Sequence, residues 1–443
     1  MVKTSLRATA VAGLAALALL GPVAPAAAGR PATGGTAVTH DEQITWQGWS
    51  GTGWSAGTGA GTTATAAGLT LATPVGTTVY RDPHTGIRRT WAYGTWTAPV
   101  TQVGFGATEL VASWNADTPA GTWLQVEVQG TYTTGTRTPW YVLGRWASGD
   151  ADIKRTSVDK QTDKTSSVWT DTLAIDNPAG GTLLRAHQLR VTLYRDPAST
   201  ATPVLRSVGA MSSNVPDRFT VAPSAGGTAW GTELAVPRYS QEIHAGQYPE
   251  YDGGGEAWCS PTSTEMLVEY WGRKPADTSW VDPTYADPTV DHAARMTYDY
   301  QYQGAGNWPF NTAYAAGFPG LEAKVTRLHS LAELEYFIAA GIPVATSVSF
   351  LASELDGAGY GTSGHLMTVI GFTATGDVIA NDPASPTDAA VRHVYQRDQF
   401  EQIWLRTRRT TASGGTGSGS GGIVYLIKPT TVAWPTVAGS TNW

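Results

Sequence analysis

An all-β first half followed by an α+β second half is the architecture this sequence predicts, on three observations. Residues 39–211 are rich in Thr, Gly and Trp, with short alternating stretches and almost no helix-length apolar periodicity. Residues 212–235 hold Pro, Gly and Ser at the density of a linker, as in Ala222-Pro223-Ser224-Ala225-Gly226-Gly227. After Pro237, helical faces alternate with apolar runs. A chain of 443 residues accommodates two domains of roughly 100–200 residues each.

The chain opens with Lys3 and Arg7, an apolar run from Ala10 to Leu20, and the small residues Ala26, Ala27 and Ala28. This is the pattern of a signal peptide spanning residues 1–28. The run falls short of the roughly 20 apolar residues a membrane helix needs. A secreted, extracellular protein, free of the membrane after cleavage, is expected.

In residues 39–211, Leu124-Gln125-Val126-Glu127-Val128-Gln129 and Leu189-Arg190-Val191-Thr192-Leu193-Tyr194 alternate at period two, the mark of half-buried strands. The segments Tyr80-Arg81-Asp82-Pro83 and Tyr194-Arg195-Asp196-Pro197 each close a strand-like run at a turn. A β-sandwich follows. Its tryptophans, among them Trp46, Trp49, Trp54, Trp91, Trp96, Trp114, Trp123, Trp140, Trp146 and Trp169, have two readings. Core packing is the usual fate of Trp, whereas an exposed row would make a carbohydrate or cell-wall contact.

In residues 236–429, Met266, Leu267, Tyr270 and Trp271 share one helical face, and Gly272 ends that helix. Ser330-Leu331-Ala332-Glu333 is a capping box opening a second helix, stopped by Gly341 and Pro343. Apolar runs at residues 344–350, 366–370, 378–380 and 423–427 read as strands. Residues 411–422 form a flexible glycine loop by composition, lacking the Gly-Lys-Ser/Thr ending of a phosphate loop. Residues 430–443 are a C-terminal tail. The net charge of −7, without any long Lys/Arg run, excludes the electrostatic footprint of a nucleic-acid binder.

The candidate chemistry centres on Cys259, the single cysteine. An idle thiol is a liability in an oxidising compartment. Cys259 stands where a glycine-rich loop runs into a helix, whose first N–H groups and dipole favour negative charge. Of eight histidines, His365 is best placed, after Gly361-Thr362-Ser363-Gly364 and before the strand at 366–370. A hairpin turning at Thr375-Gly376-Asp377 returns as Val378-Ile379-Ala380-Asn381-Asp382-Pro383. Antiparallel pairing brings Asp382 beside His365, where its carboxylate could fix the imidazole tautomer. Asn381 then faces the other way. Without His-Glu-x-x-His or a second cysteine a zinc site lacks ligands, and no cofactor is expected. Ser363 lacks the Gly-x-Ser-x-Gly elbow of a serine nucleophile.

These pieces together resemble a known family. Val236-Pro237-Arg238-Tyr239-Ser240-Gln241, Cys259-Ser260-Pro261-Thr262-Ser263, Gly364-His365 with Val369-Ile370-Gly371-Phe372, and Asn381-Asp382-Pro383 stand in the order of the bacteriocin-processing, double-glycine-type (C39-like) cysteine peptidases, in a secreted, transporter-free form. The resemblance implies a papain-like fold for residues 236–429. It further implies Cys259 as nucleophile, His365 as general base and acid, Asp382 as orienting residue and Gln241 as side-chain donor to the oxyanion. Ser260 replaces the family's usual Gly and would narrow the space at the scissile bond. The insertion between His244 and Glu256 separates Gln241 from Cys259, making Gln247 a second oxyanion candidate. Trp258, Tyr248, Tyr251, Trp308 and Phe310 are either cleft-lining or packing residues. A peptide or protein is the implied substrate. The alternatives are an inactive peptidase fold binding cell wall or protein, and an amidase or acyltransferase using the same thiol.

Overall fold

A computed structural model describes residues 42–443, so the expected signal peptide lies outside the described residues. Residues 43–214 form two seven-stranded antiparallel sheets, with segments 124–129 and 189–194 inside the adjacent central strands Thr122–Tyr132 and Leu184–Arg195. Seven of the ten tryptophans named above are core residues: Trp49, Trp54, Trp91, Trp96, Trp114, Trp123 and Trp146. Trp169 is 37% exposed, so packing accounts for most of this set. Tyr80 and Tyr194, from the two Tyr-Arg-Asp-Pro segments, converge on Trp123 at 4.9 and 3.8 Å between ring centroids.

The second half is built on a six-stranded antiparallel sheet in the order Leu321–Arg327, Ile423–Pro429, Val344–Phe350, Thr362–Phe372, Val378–Asn381, Arg392–Tyr395. Five helices pack around it: α1 (Cys259–Tyr270), α2 (Pro288–Thr297), α3 (Trp308–Ala316), α4 (Leu331–Ala339) and α5 (Arg397–Leu405). Gly272, at φ +68°, ends α1 in the left-handed region that favours glycine. Ser330 Oγ caps α4 by accepting from Glu333 N at 3.1 Å, while the Glu333 carboxylate reaches back to His329 N at 2.6 Å.

The two halves share one continuous hydrophobic core. Strand Glu109–Asp117 lies against α3 and strand Leu321–Arg327, and its side chains act as a further pairing edge. Asn115 Nδ2 donates to Ala323 O at 2.7 Å and Asn115 Oδ1 accepts from Ala323 N at 3.0 Å. The Ser113 hydroxyl accepts from Val325 N at 2.9 Å. Phe310 on α3 meets Trp114 and Trp146 at 6.1 and 5.4 Å, in a space that a side chain at Gly144 would enter.

The structure adds detail to four of these segments. Strand Val204–Asn214 carries the first half's pairing three residues past 211. The linker that follows is a strap bound along the second half. Ser224 N donates to Glu401 at 2.7 Å, Gly227 N to Glu335 at 2.8 Å, and Leu234 N to Ile370 O at 2.8 Å. The glycine loop folds back as a hairpin, its Thr416–Ser418 pairing with Arg408–Thr410 just before it. The tail is docked on both halves: Trp46 N donates to Thr441 O at 2.6 Å, Asn442 Nδ2 to Arg327 O at 2.9 Å, and Trp443 packs on Phe337. Backbone groups of irregular segments must find partners somewhere, and here distant side chains and main-chain groups supply them.

Candidate active site

Cys259 is the first residue of α1 and 8% exposed. Residues 259–268 of that helix are all buried. Helix α1 is fastened to strand Thr362–Phe372 by Ser263 Oγ, which donates to Leu366 O at 3.0 Å. That bond places the start of the helix beside His365, next in the chain to Leu366. His365 is the fourth residue of its strand rather than its opening one, pairs with Val348 and is 4% exposed.

Strand Val378–Asn381 returns antiparallel, with Asn381 opposite Thr368, and delivers Asp382 just past its end. The Asn381 amide turns away, donating to Pro237 O at 2.9 Å. Asp382 Oδ1 meets His365 Nε2 at 2.8 Å. Cys259 is close enough to the His365 ring to favour its charged form.

Asp382 is 1% exposed and fully supplied with donors. Tyr395 OH reaches Oδ2 at 2.8 Å, Tyr360 OH the same oxygen at 2.9 Å, and Ala384 N Oδ1 at 3.0 Å. Burial would raise this carboxyl. The His365 charge and the hydrogen bonds from His365, Tyr395 and Tyr360 outweigh burial and hold it below its ordinary value. For His365, burial disfavours the charged ring, but the Asp382 carboxylate and Cys259 overcome this and push it up to about 10. Sequence reasoning missed Tyr360 and Tyr395, which stand 22 and 13 residues from Asp382 and carry no local motif.

Gln241 ties together the two chain segments flanking the pair. Its N–H donates to Pro383 O at 2.9 Å and its Nε2 to Glu256 O at 2.7 Å, three residues before Cys259. The insertion between His244 and Glu256 therefore does not part them. It folds back on itself, Gly246 N donating to Glu256 Oε2 at 3.0 Å, and Gly255 fits so closely that a Cβ would strike the Gln241 carbonyl. Gln247 is committed elsewhere: its Oε1 lies 3.1 Å from His244 Nδ1 and its Nε2 donates to Ile243 O at 3.2 Å.

Ser260 does not narrow the cleft. Its side chain is buried, with Oγ 2.8 Å from Tyr425 OH. Trp258, Trp308 and Phe310 are at most 5% exposed and pack inside the fold. Tyr248 packs on Trp280 and Tyr285, and Tyr251 accepts the Trp258 indole N–H at 2.5 Å through its carbonyl. Among the described residues no cluster of three His, Cys, Asp or Glu side chains could hold a metal ion.

Comparison with known proteins divides the chain where the fold does. Residues 45–213 match the model of the Peptidase C39 N-terminal domain, and residues 233–412 that of the Peptidase_C39-like family. A solved structure from Bacillus anthracis, titled as a C39-like peptidase, is 17% identical. It covers 44% of this chain and 98% of its own, with a TM-score of 0.25. A study of carbohydrate-binding modules of the β-sandwich superfamily supplies another, at 11% identity, 38% and 54% coverage and a TM-score of 0.16. No curated protein matches the sequence.

Proposed function

We propose, from the match of residues 233–412 to the model of the Peptidase_C39-like family, that the chain is a secreted cysteine peptidase, exported on residues 1–28, that hydrolyses peptide bonds through Cys259. The observation carrying this reading is the 2.8 Å pairing of His365 with Asp382, with Cys259 near enough to act on the charge of the ring. A buried His–carboxylate pair next to a helix-start cysteine is what general-base activation of a thiol requires.

In this reading the His365 imidazole takes the proton of the Cys259 thiol as Sγ attacks the scissile carbonyl. The carbonyl π electrons move onto oxygen, where the Gln241 amide and backbone N–H at the start of α1 stabilise the charge. Collapse breaks the C–N bond as His365 gives its proton to the leaving amine, and a thioester to Cys259 remains. Water then attacks the thioester, giving its proton to His365. Collapse of the second tetrahedral intermediate breaks the C–S bond, the leaving sulfur takes the proton back from His365, and a carboxylic acid product leaves with the thiol–imidazole pair restored. Asp382 keeps the ring's tautomer and orientation throughout.

The test is hydrolysis of a mixture-based library of internally quenched peptides by the mature chain. The reading predicts cleavage that Cys259→Ala abolishes while the fold persists. Wild-type protein that cleaves nothing, or activity that survives Cys259→Ala, would overturn it. Release of ammonia or acyl transfer without internal cleavage would move the same thiol to the amidase or acyltransferase class.

A further inference from the structure

The Gln241 side chain is 3% exposed, and its two ends are treated unequally. Both amide hydrogens have acceptors, the Glu256 carbonyl at 2.7 Å and Glu242 Oε1 at 3.2 Å. The Oε1 end is buried and has no hydrogen-bond partner. An amide can sit either way round in a given volume, because its O and NH2 ends are nearly isosteric. Which end faces a neighbouring oxyanion is then decided by the acceptors and donors around it.

We infer that Glu242 is a positioning residue that keeps the Gln241 amide turned with its N–H end available to the reacting carbonyl oxygen. The inference rests on the peptidase reading above. Two unlike acceptors hold the Nε2 end. The main-chain carbonyl of Glu256 belongs to a turn locked by Gly255 and cannot follow the reaction. The Glu242 carboxylate makes the longer of the two bonds. As charge builds on the substrate oxygen, the hydrogen shared with Glu242 is the one released to it, so that the substrate oxygen takes over from Glu242 as the second anchor of the amide. Without Glu242 one anchor remains, and rotation about the Gln241 side chain brings the lone pairs of Oε1 toward the developing negative charge.

Glu242 is itself fixed at the site. Its N–H donates to Ser240 Oγ at 3.1 Å, and Ser240 N donates to Asp388 Oδ1 at 2.7 Å. Burial raises its carboxyl above the ordinary value, with Gln241 and His365 acting against the rise and Glu256 and Asp382 adding to it. The group therefore lies within electrostatic reach of the His365–Asp382 pair.

The experiment is a double-mutant cycle in the full mature chain, measured as kcat and KM on the best-cleaved peptide of the quenched library. Removing a true oxyanion donor costs roughly a hundred- to a thousand-fold in turnover, so Gln241→Ala sets the scale. Glu242→Ala is expected to lower kcat about ten-fold with KM little changed, by analogy with the ten- to hundred-fold lost when partners that orient a reacting group are removed. Glu242→Gln keeps an acceptor oxygen and should restore most of the rate. In the Gln241→Ala background, Glu242→Ala should cost nothing further, because residues acting as a unit are non-additive. An unchanged or increased kcat in Glu242→Ala, or an equal loss in both backgrounds, would overturn the inference while leaving the peptidase reading standing. A wild type that cleaves no library peptide would overturn the reading itself, and this inference with it.

Discussion

The Tyr395 hydroxyl donates to Asp382 Oδ2 at 2.8 Å while His365 Nε2 holds Oδ1 at the same distance. The carboxylate is thus clamped through both oxygens, and Tyr360 closes the remaining side at 2.9 Å. Tyr395→Phe removes a hydrogen bond to a buried charge, worth roughly 1.5–3 kcal/mol. Urea unfolding should show a loss in that range. Activity should persist, because His365 and Tyr360 still hold Asp382.

Asp382→Asn acts on the ring itself. Burial alone would lower the His365 pKa, and the carboxylate is the first influence opposing it, so its removal brings the value down from about 10. The alkaline limb of the pH–rate profile should therefore move to lower pH, and turnover should fall on the order of a hundred-fold or more. Stability follows the same sign. A raised histidine contributes in full below its ordinary value of 6.5 and loses that contribution as the pH climbs through about 10. Wild-type stability should decline across that window, and the variant's decline should be smaller.

Ser260→Ala separates packing from chemistry. The Oγ bonds Tyr425 OH at 2.8 Å in the interior, so its loss leaves a buried phenol without that partner. The expected cost is roughly 1–3 kcal/mol of stability, with kcat unchanged to within about two-fold. A large rate effect would return Ser260 to the cleft.

How much of this was legible beforehand depended on where each signal resides in the chain. Cys259 at a helix start, His365 in a strand and Asp382 at the end of the returning strand each carry local grammar, and the register Thr368 to Asn381 brings the last two together as the turn implied. Tyr360 and Tyr395 could not be found that way, since only the folded sheet aims them at Asp382. Composition also cannot tell a tether from a strap. The Pro- and Gly-rich segment after Asn214 is bound by Glu335 and Glu401, over 100 residues downstream. Phe310 was open to a cleft reading for the same reason, its partners Trp114 and Trp146 lying in the other half.

That shared core makes a prediction about cooperativity. Asn115 satisfies both the N–H and the carbonyl of Ala323, so Asn115→Ala strands two buried backbone groups. A loss of roughly 2–6 kcal/mol is expected at about 1–3 kcal/mol for each buried group left unpaired. The loss should appear in one calorimetric transition covering both halves. Two separated transitions in the wild type would contradict the single core.

The central claim is that His365 activates Cys259, and the direct measurement is alkylation. With one cysteine in the chain, intact mass after timed exposure to iodoacetamide at pH 6 counts modification at a single site. Wild-type protein should be labelled at least about ten-fold faster than His365→Ala, because a neighbouring imidazolium favours the thiolate, the reactive form of cysteine. Equal rates in the two proteins would contradict the account and leave Cys259 a buried thiol with no catalytic partner.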